Sequence, residues 1–234
     1  MRGQLSKIFH AGAVLEAWSR RAGAISRDEW QAAGRNGFIA NLTPVEEDIV
    51  DAVRSLVTRL FATPAQTAGK SRWGFKEVRY GAAEALFLHR LFPFARLVHV
   101  IRDPRDVLCS LDHWERERSD IWNRDSTEAA VMNWLHVSET LLQLKNDGAT
   151  FMLSLRYEDL VAGPDPTIRN LAGHVGLEVK HLDRSVLKHR VHQEGLGREA
   201  ARVMRSWSDL PEDLRELLRQ ERIRRTALAF GYVL

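Results

Sequence analysis

Apolar residues fall at helical spacing in two early stretches of the chain. Leu5, Ile8, Phe9, Val14, Leu15 and Trp18 predict a helix over residues 5–21. Ile49, Val53, Leu56, Val57 and Leu60 predict a second over 43–62, where Thr43 is placed to cap, Pro44 takes the first helical position and Glu46 completes a capping box. Further helices are expected over 81–92, stopped by Pro93, and from Asp103 and Pro104 onward, with the aspartate as cap. Three more follow: one over 126–145, one from Asp165 and Pro166 to about Gly176, and one over 211–230.

Three short stretches carry strand patterns instead. Residues 73–78, with Trp73 and Phe75 two apart, read as a short strand, 96–101 (RLVHVI) form a short apolar run, and 150–156 (TFMLSLR) do likewise. Strands separated by helices need crossover connections, which give a parallel sheet. The expected class is therefore α/β, as one domain over residues 1–234, because neither a repeat nor a Pro/Gly-rich linker divides the chain. Three strands are few for this length, since sheets usually hold about four to six. A strand is expected to be missing from the N-terminal side.

Composition narrows the function classes. Hydrophobic residues make up 44% of the 234 and charged residues 28%, which suits a packed core rather than disorder. The single cysteine, Cys109, excludes an internal disulfide framework and a thiolate zinc cluster within one chain. Lys and Arg number 34 against 31 Asp and Glu, a net charge of +3. That small excess, without a long basic run, points to an anionic ligand rather than to nucleic acid. No apolar stretch approaches the roughly 18 residues of a membrane span. The N-terminus has no apolar signal-peptide region, so a cytoplasmic location is expected.

The chemistry concentrates in RLVHVIRDPRDVLCSL, residues 96–111. Arg102 follows the predicted strand directly, and ligands of open parallel sheets bind at the carboxyl ends of strands. Its planar fork matches a phosphate. The helix beginning at Pro104 adds free backbone N–H groups and a positive dipole end. Ser110 lies two turns along that helix, on the side of the cap. Arg102 and Ser110 thus read as a two-point phosphate clamp. The alternative, Arg102 paired with Asp106 and Ser110 merely meeting solvent, stays open on these residues. His99 reads as a satisfied core residue and Cys109 as a small buried hydrophobe. His181, His189 and His192 are too irregularly spaced for a metal triad.

RDPRDVLCS resembles the 3′-phosphate-binding motif of sulfotransferases that use 3′-phosphoadenosine 5′-phosphosulfate (PAPS). Three further segments agree in order and spacing. WGFKEVRY, residues 73–80, resembles the strand that carries the family's catalytic lysine. LSLRYEDLVAGP, residues 153–164, resembles its Tyr-Glu-Asp strand end, and the tail from Ser206 to Tyr232 resembles its closing helix. The resemblance implies a three-layer α/β/α, P-loop NTPase-like fold with a central parallel sheet. It implies that Arg102 and Ser110 hold the 3′-phosphate, that Tyr157 contacts the nucleotide and that Lys76 is catalytic. It also implies PAPS as co-substrate, no metal, and a hydroxyl or amine acceptor. The family's base positions do not carry over. Val78 stands where one branch has a histidine, and Gln4 lies nearest to the glutamate of another.

The family's Gly/Ser/Thr-rich loop, which cradles the 5′-phosphosulfate, has no counterpart before Lys76. Gly34-Arg35-Asn36-Gly37 has neither a leading apolar strand nor a helix directly after it. The expectation is an N-terminally truncated form that binds the nucleotide but transfers poorly or not at all. The alternative is a non-catalytic relic that keeps only the 3′-phosphate site. The acceptor and the oligomeric state are not legible in the sequence.

Overall fold

In the computed structural model the described residues are 9–11, 46–117, 123–162, 164–181 and 207–234. They divide into two units, Met1–Ala95 and Arg96–Leu234. The capping residues Thr43 and Pro44, and all but residues 9–11 of the first predicted helix, lie outside the described residues.

In the first unit, helix α1 (Glu46–Val57) starts with Glu46, Glu47 and Asp48, whose charges suit a helix N-terminus. It buries Ile49, Val50 and Val57. A π-helical turn, Thr58–Ala62, follows, closed by a bond from the Thr63 N–H to the Thr58 carbonyl. This widened turn leads into α2 (Thr63–Thr67), where Pro64 has no N–H to continue the ladder. Helix α3 (Ala82–Leu91) ends with its Leu91 carbonyl accepting the Arg54 Nε–H at 2.8 Å. Phe9, Val50, Val57, Tyr80, Phe87 and Leu91 form the core of this unit, with Phe61 and Phe75 packed against it.

One strand expectation is overturned here. Residues 72–77, which include Lys76, have no regular secondary structure. The alternating pattern at Trp73 and Phe75 comes from ring packing instead. Phe75 stacks on Phe61 at 5.0 Å and on Phe9 at 5.6 Å, and Trp73 stacks on Phe61 at 5.9 Å. A strand also needs a neighbour for its backbone groups, and the one sheet among the described residues pairs two other segments.

That sheet belongs to the second unit. Strands β1 (Leu97–Ile101) and β2 (Met152–Arg156) run parallel, with Leu97 opposite Met152 and Ile101 opposite Arg156. Between them lie α4 (Pro104–Glu117) and α5 (Arg124–Asn146), the latter capped by the Asn123 side chain accepting the Ser126 N–H at 3.0 Å. After β2 come α6 (Tyr157–Ala162), α7 (Pro164–Val175), α8 (Glu212–Arg219) and α9 (Glu221–Ala229). The architecture is a mostly helical α/β one with a small parallel sheet, two-stranded among the described residues rather than three.

The single helix expected over 211–230 is broken at Gln220, whose backbone is extended (ψ 131°). The buried positions explain the break. Leu214 and Leu218 are four apart, as are Ile223 and Ala227, but Leu218 and Ile223 are five apart. A continuous helix would turn the second pair away from the first by more than a quarter turn. Breaking at Gln220 lets both pairs be buried, Leu214, Leu218 and Ile223 in one core and Ala227 against Ile101 and Tyr232. Leu108, Val131, Leu135, Leu210, Leu214, Leu218 and Ile223 make that core, with Cys109 buried among them as expected. Glu139 of α5 holds α9 through the Arg222 guanidinium (Nε to Oε1 2.9 Å) and the Thr226 hydroxyl (3.2 Å).

His99 is buried mid-strand, its Nδ1 3.4 Å from the Ser154 hydroxyl and its ring edge-on to Phe230. Burial, helped by the nearby Lys145, lowers its pKa to about 4 from 6.5. The unfolded chain therefore takes up this proton before the folded chain does. Stability present above pH 6.5 is lost as pH falls toward 4, by roughly 3 kcal/mol for this group. Urea midpoints measured across that interval should fall in the parent and fall less in His99→Gln.

Candidate functional site

The site is built where the two parallel strands end. Arg102 follows Ile101, and Tyr157 follows Arg156, the residue in register with Ile101. The two side chains leave the sheet side by side, and the Arg102 guanidinium lies 5.1 Å from the centre of the Tyr157 ring. A cation over an aromatic face is attracted by the ring quadrupole. The Tyr157 side chain remains 42% exposed.

Local chemistry fixes the turn after β1. The Arg102 carbonyl accepts the Trp134 indole N–H at 3.2 Å. Asp103 caps α4 as expected, its carboxylate accepting the Arg105 N–H at 2.8 Å while also pairing with the Arg105 guanidinium at 2.6 Å. Glu158, the residue after Tyr157, accepts the Asp103 N–H at 2.9 Å through one oxygen and the Tyr232 hydroxyl at 2.6 Å through the other. One carboxylate thus joins the end of β1, the start of α6 and the C-terminal tail.

The tail reaches this point through a tight helix end. The Tyr232 N–H bonds the Ala227 carbonyl and the Gly231 N–H bonds that of Leu228, while Gly231 has φ +81°. These are the two bonds of a Schellman motif, and its left-handed residue favours glycine. Tyr232 then lies beneath the Arg156 guanidinium, 4.4 Å from its ring centre, and its hydroxyl also reaches the Ile101 carbonyl at 3.3 Å. Burial, and then the bond to Glu158, push the Tyr232 phenol pKa far up, so it stays protonated and donates. Removing that donor leaves Glu158 short of a charge-assisted bond. Tyr232→Phe should cost about 1–3 kcal/mol of stability, read from the urea midpoint.

Arg102 itself is incompletely satisfied. Its Nη2 is 3.5 Å from the Asp106 carboxylate, one turn into α4, so the pairing that the sequence left open is present. Its Nε is buried and has no hydrogen-bond partner. A buried guanidinium N–H without an acceptor is costly and leaves a donor open to one. Ser110 is exposed, four residues beyond Asp106 and therefore one turn further along the same side of α4. Arg102 and Tyr157 are brought into contact, with Ser110 placed on the helix that starts beside them. Lys76 is exposed and belongs to the first unit. Its neighbour Glu77 accepts the Val78 N–H at 2.8 Å.

Sequence reasoning missed Glu158, Tyr232 and Trp134 as positioning residues. The first two stand inside the Tyr-Glu-Asp segment and at the end of the tail from Ser206 to Tyr232, which were a usable signal. Nothing marks Trp134. An open cavity of about 430 Å3 beside β2 is lined by Lys145, Ser154, Arg156, Asp159 and Phe230 among others, and includes none of the four predicted site residues.

A family model described as the Sulfotransferase family matches residues 5–181, well over half of the chain. The chain belongs to the sulfotransferase family. No curated protein and no solved structure gave a match. The matched span contains Lys76, Arg102, Ser110 and Tyr157, begins well upstream of residue 72 and ends before the tail that carries Tyr232. Sulfotransferases are transferases of sulfuryl groups. No helix among the described residues is long and apolar enough to cross a membrane.

Proposed function

We propose that this sulfotransferase moves a sulfuryl group from PAPS to a hydroxyl or amine acceptor. The buried, unpartnered Nε of Arg102 at the carboxyl end of β1 carries the reading, because it asks for an anionic acceptor where the strand meets the N-terminus of α4. Arg102 and Ser110 hold the 3′-phosphate, and Tyr157 offers its exposed ring to the nucleotide. In the transfer, the bond between sulfur and the bridging oxygen of the 5′-phosphate breaks, a bond to the acceptor oxygen or nitrogen forms, and the acceptor's proton leaves to a base. Lys76 stabilises the charge that builds on the bridging oxygen. In this reading β1 and β2 are part of a three-layer, P-loop NTPase-like fold over one domain, and the protein works in the cytoplasm.

A second reading is nucleotide binding without transfer, which needs only Arg102, Ser110 and Tyr157 at the end of the sheet. Incubation with donor labelled on sulfur and a panel of hydroxyl and amine acceptors separates the two. Labelled product that depends on Lys76 supports the enzyme. Bound nucleotide without labelled product supports the binding module.

A further inference from the structure

Three carboxylates crowd the start of α4: Asp103, Asp106 and Glu158. Two of them are committed elsewhere. Asp103 caps the helix and pairs with Arg105, and Glu158 is shared between the Asp103 N–H and the Tyr232 hydroxyl. Asp106 is left to Arg102, with which it makes an ion pair at 3.5 Å. We propose that Asp106 is an internal competitor for Arg102, holding the guanidinium in place until a phosphate displaces it and weakening the grip on the bisphosphate left after transfer. This rests on reading Arg102 as the 3′-phosphate cation.

The geometry explains both halves of the role. Arg102 is pinned from two sides, by the Asp106 carboxylate and by the face of Tyr157, while its Nε stays unpaired. A guanidinium presents five donors, so an arriving phosphate can take Nε first and then replace the carboxylate at Nη2. Asp106 is only partly exposed and lies close to Asp103 and Glu158, so it holds its proton more readily than an ordinary aspartate. Burial is the main cause, and the two neighbouring carboxylates add to it, against the opposing pull of Arg102. A carboxylate that is costly to keep charged in this place is retained at the expense of anion affinity. That cost has a use where a charged product must leave.

The experiment is a calorimetric double-mutant cycle on the full chain, with adenosine 3′,5′-bisphosphate as probe and adenosine 5′-monophosphate as control. The variants are Asp106→Asn, Arg102→Ala and the pair together. Asp106→Asn should bind the bisphosphate roughly fivefold more tightly than the parent, the scale of releasing a partly exposed ion pair. It should not alter binding of the monophosphate, and its gain should vanish in the Arg102→Ala background. A residue serving only to support the fold would loosen binding or leave it alone. Should Asp106→Asn fail to fold, Asp106→Ser removes the same charge. If Arg102→Ala weakens bisphosphate binding while neither Asp106 variant tightens it, the competitor role is overturned and the clamp stands. If Arg102→Ala binds as the parent does, the clamp itself falls and the competitor with it.

Discussion

Arg102→Ala is expected to weaken binding of adenosine 3′,5′-bisphosphate by about ten- to a hundredfold. The figure follows from the loss of charge-assisted hydrogen bonds, each worth roughly 1.5–3 kcal/mol when the donor is shielded from water. Arg102 qualifies, because its Nε is buried and its guanidinium is oriented by Tyr157 and Asp106 before any ligand arrives. Little side-chain entropy remains to be lost on binding. The fold should tolerate the change, since the turn is held by backbone bonds to Trp134 and Glu158 rather than by the Arg102 side chain. Calorimetry checks the affinity, and an unchanged urea midpoint checks the fold.

Lys76→Ala is expected to act on the other half of the reaction. Bisphosphate affinity should stay within about twofold, while sulfuryl transfer falls by roughly 100- to 1000-fold, the usual effect of removing one preorganised group at a developing charge. Lys76 is exposed, so its replacement leaves no cavity. Its backbone is fixed on the preceding side by Phe75, which sits among the rings of Phe9, Phe61 and Tyr80. A fall in rate with intact binding marks a group that acts in the transition state. Equal loss of both would mean that Lys76 only binds the donor.

How much of this could be read in the sequence depended on how local each cause was. The unit from β1 through Arg102 to α4 was legible because its signals are consecutive: an apolar run, an arginine, then an Asp-Pro start whose cap appears as expected. Residues 73–78 read as a strand because a ring cluster and a half-buried strand both place apolar residues two apart, and what separates them is that these residues pair with no strand among the described residues. The break at Gln220 was hidden for a different reason. No proline or glycine marks it, and the cause is a five-residue step between buried pairs that matters only once both pairs are buried. Glu158 was quoted as part of a motif, but its two bonds reach residues 55 and 74 positions away, and no spacing rule predicts those. The Arg102 to Asp106 contact was foreseen as an alternative to phosphate binding. The structure shows that contact beside an unpartnered Nε on the same side chain, which is why the proposal is one of competition rather than choice.

The central claim is that the strand-end arginine of this sulfotransferase recognises a nucleotide by its 3′-phosphate. One titration tests it most directly: the full chain against adenosine 3′,5′-bisphosphate and, in parallel, against adenosine 5′-monophosphate, with Arg102→Ala beside the parent. The parent should bind the bisphosphate at least tenfold more tightly than the monophosphate, and Arg102→Ala should erase that preference. Equal affinity of the parent for the two nucleotides would contradict it.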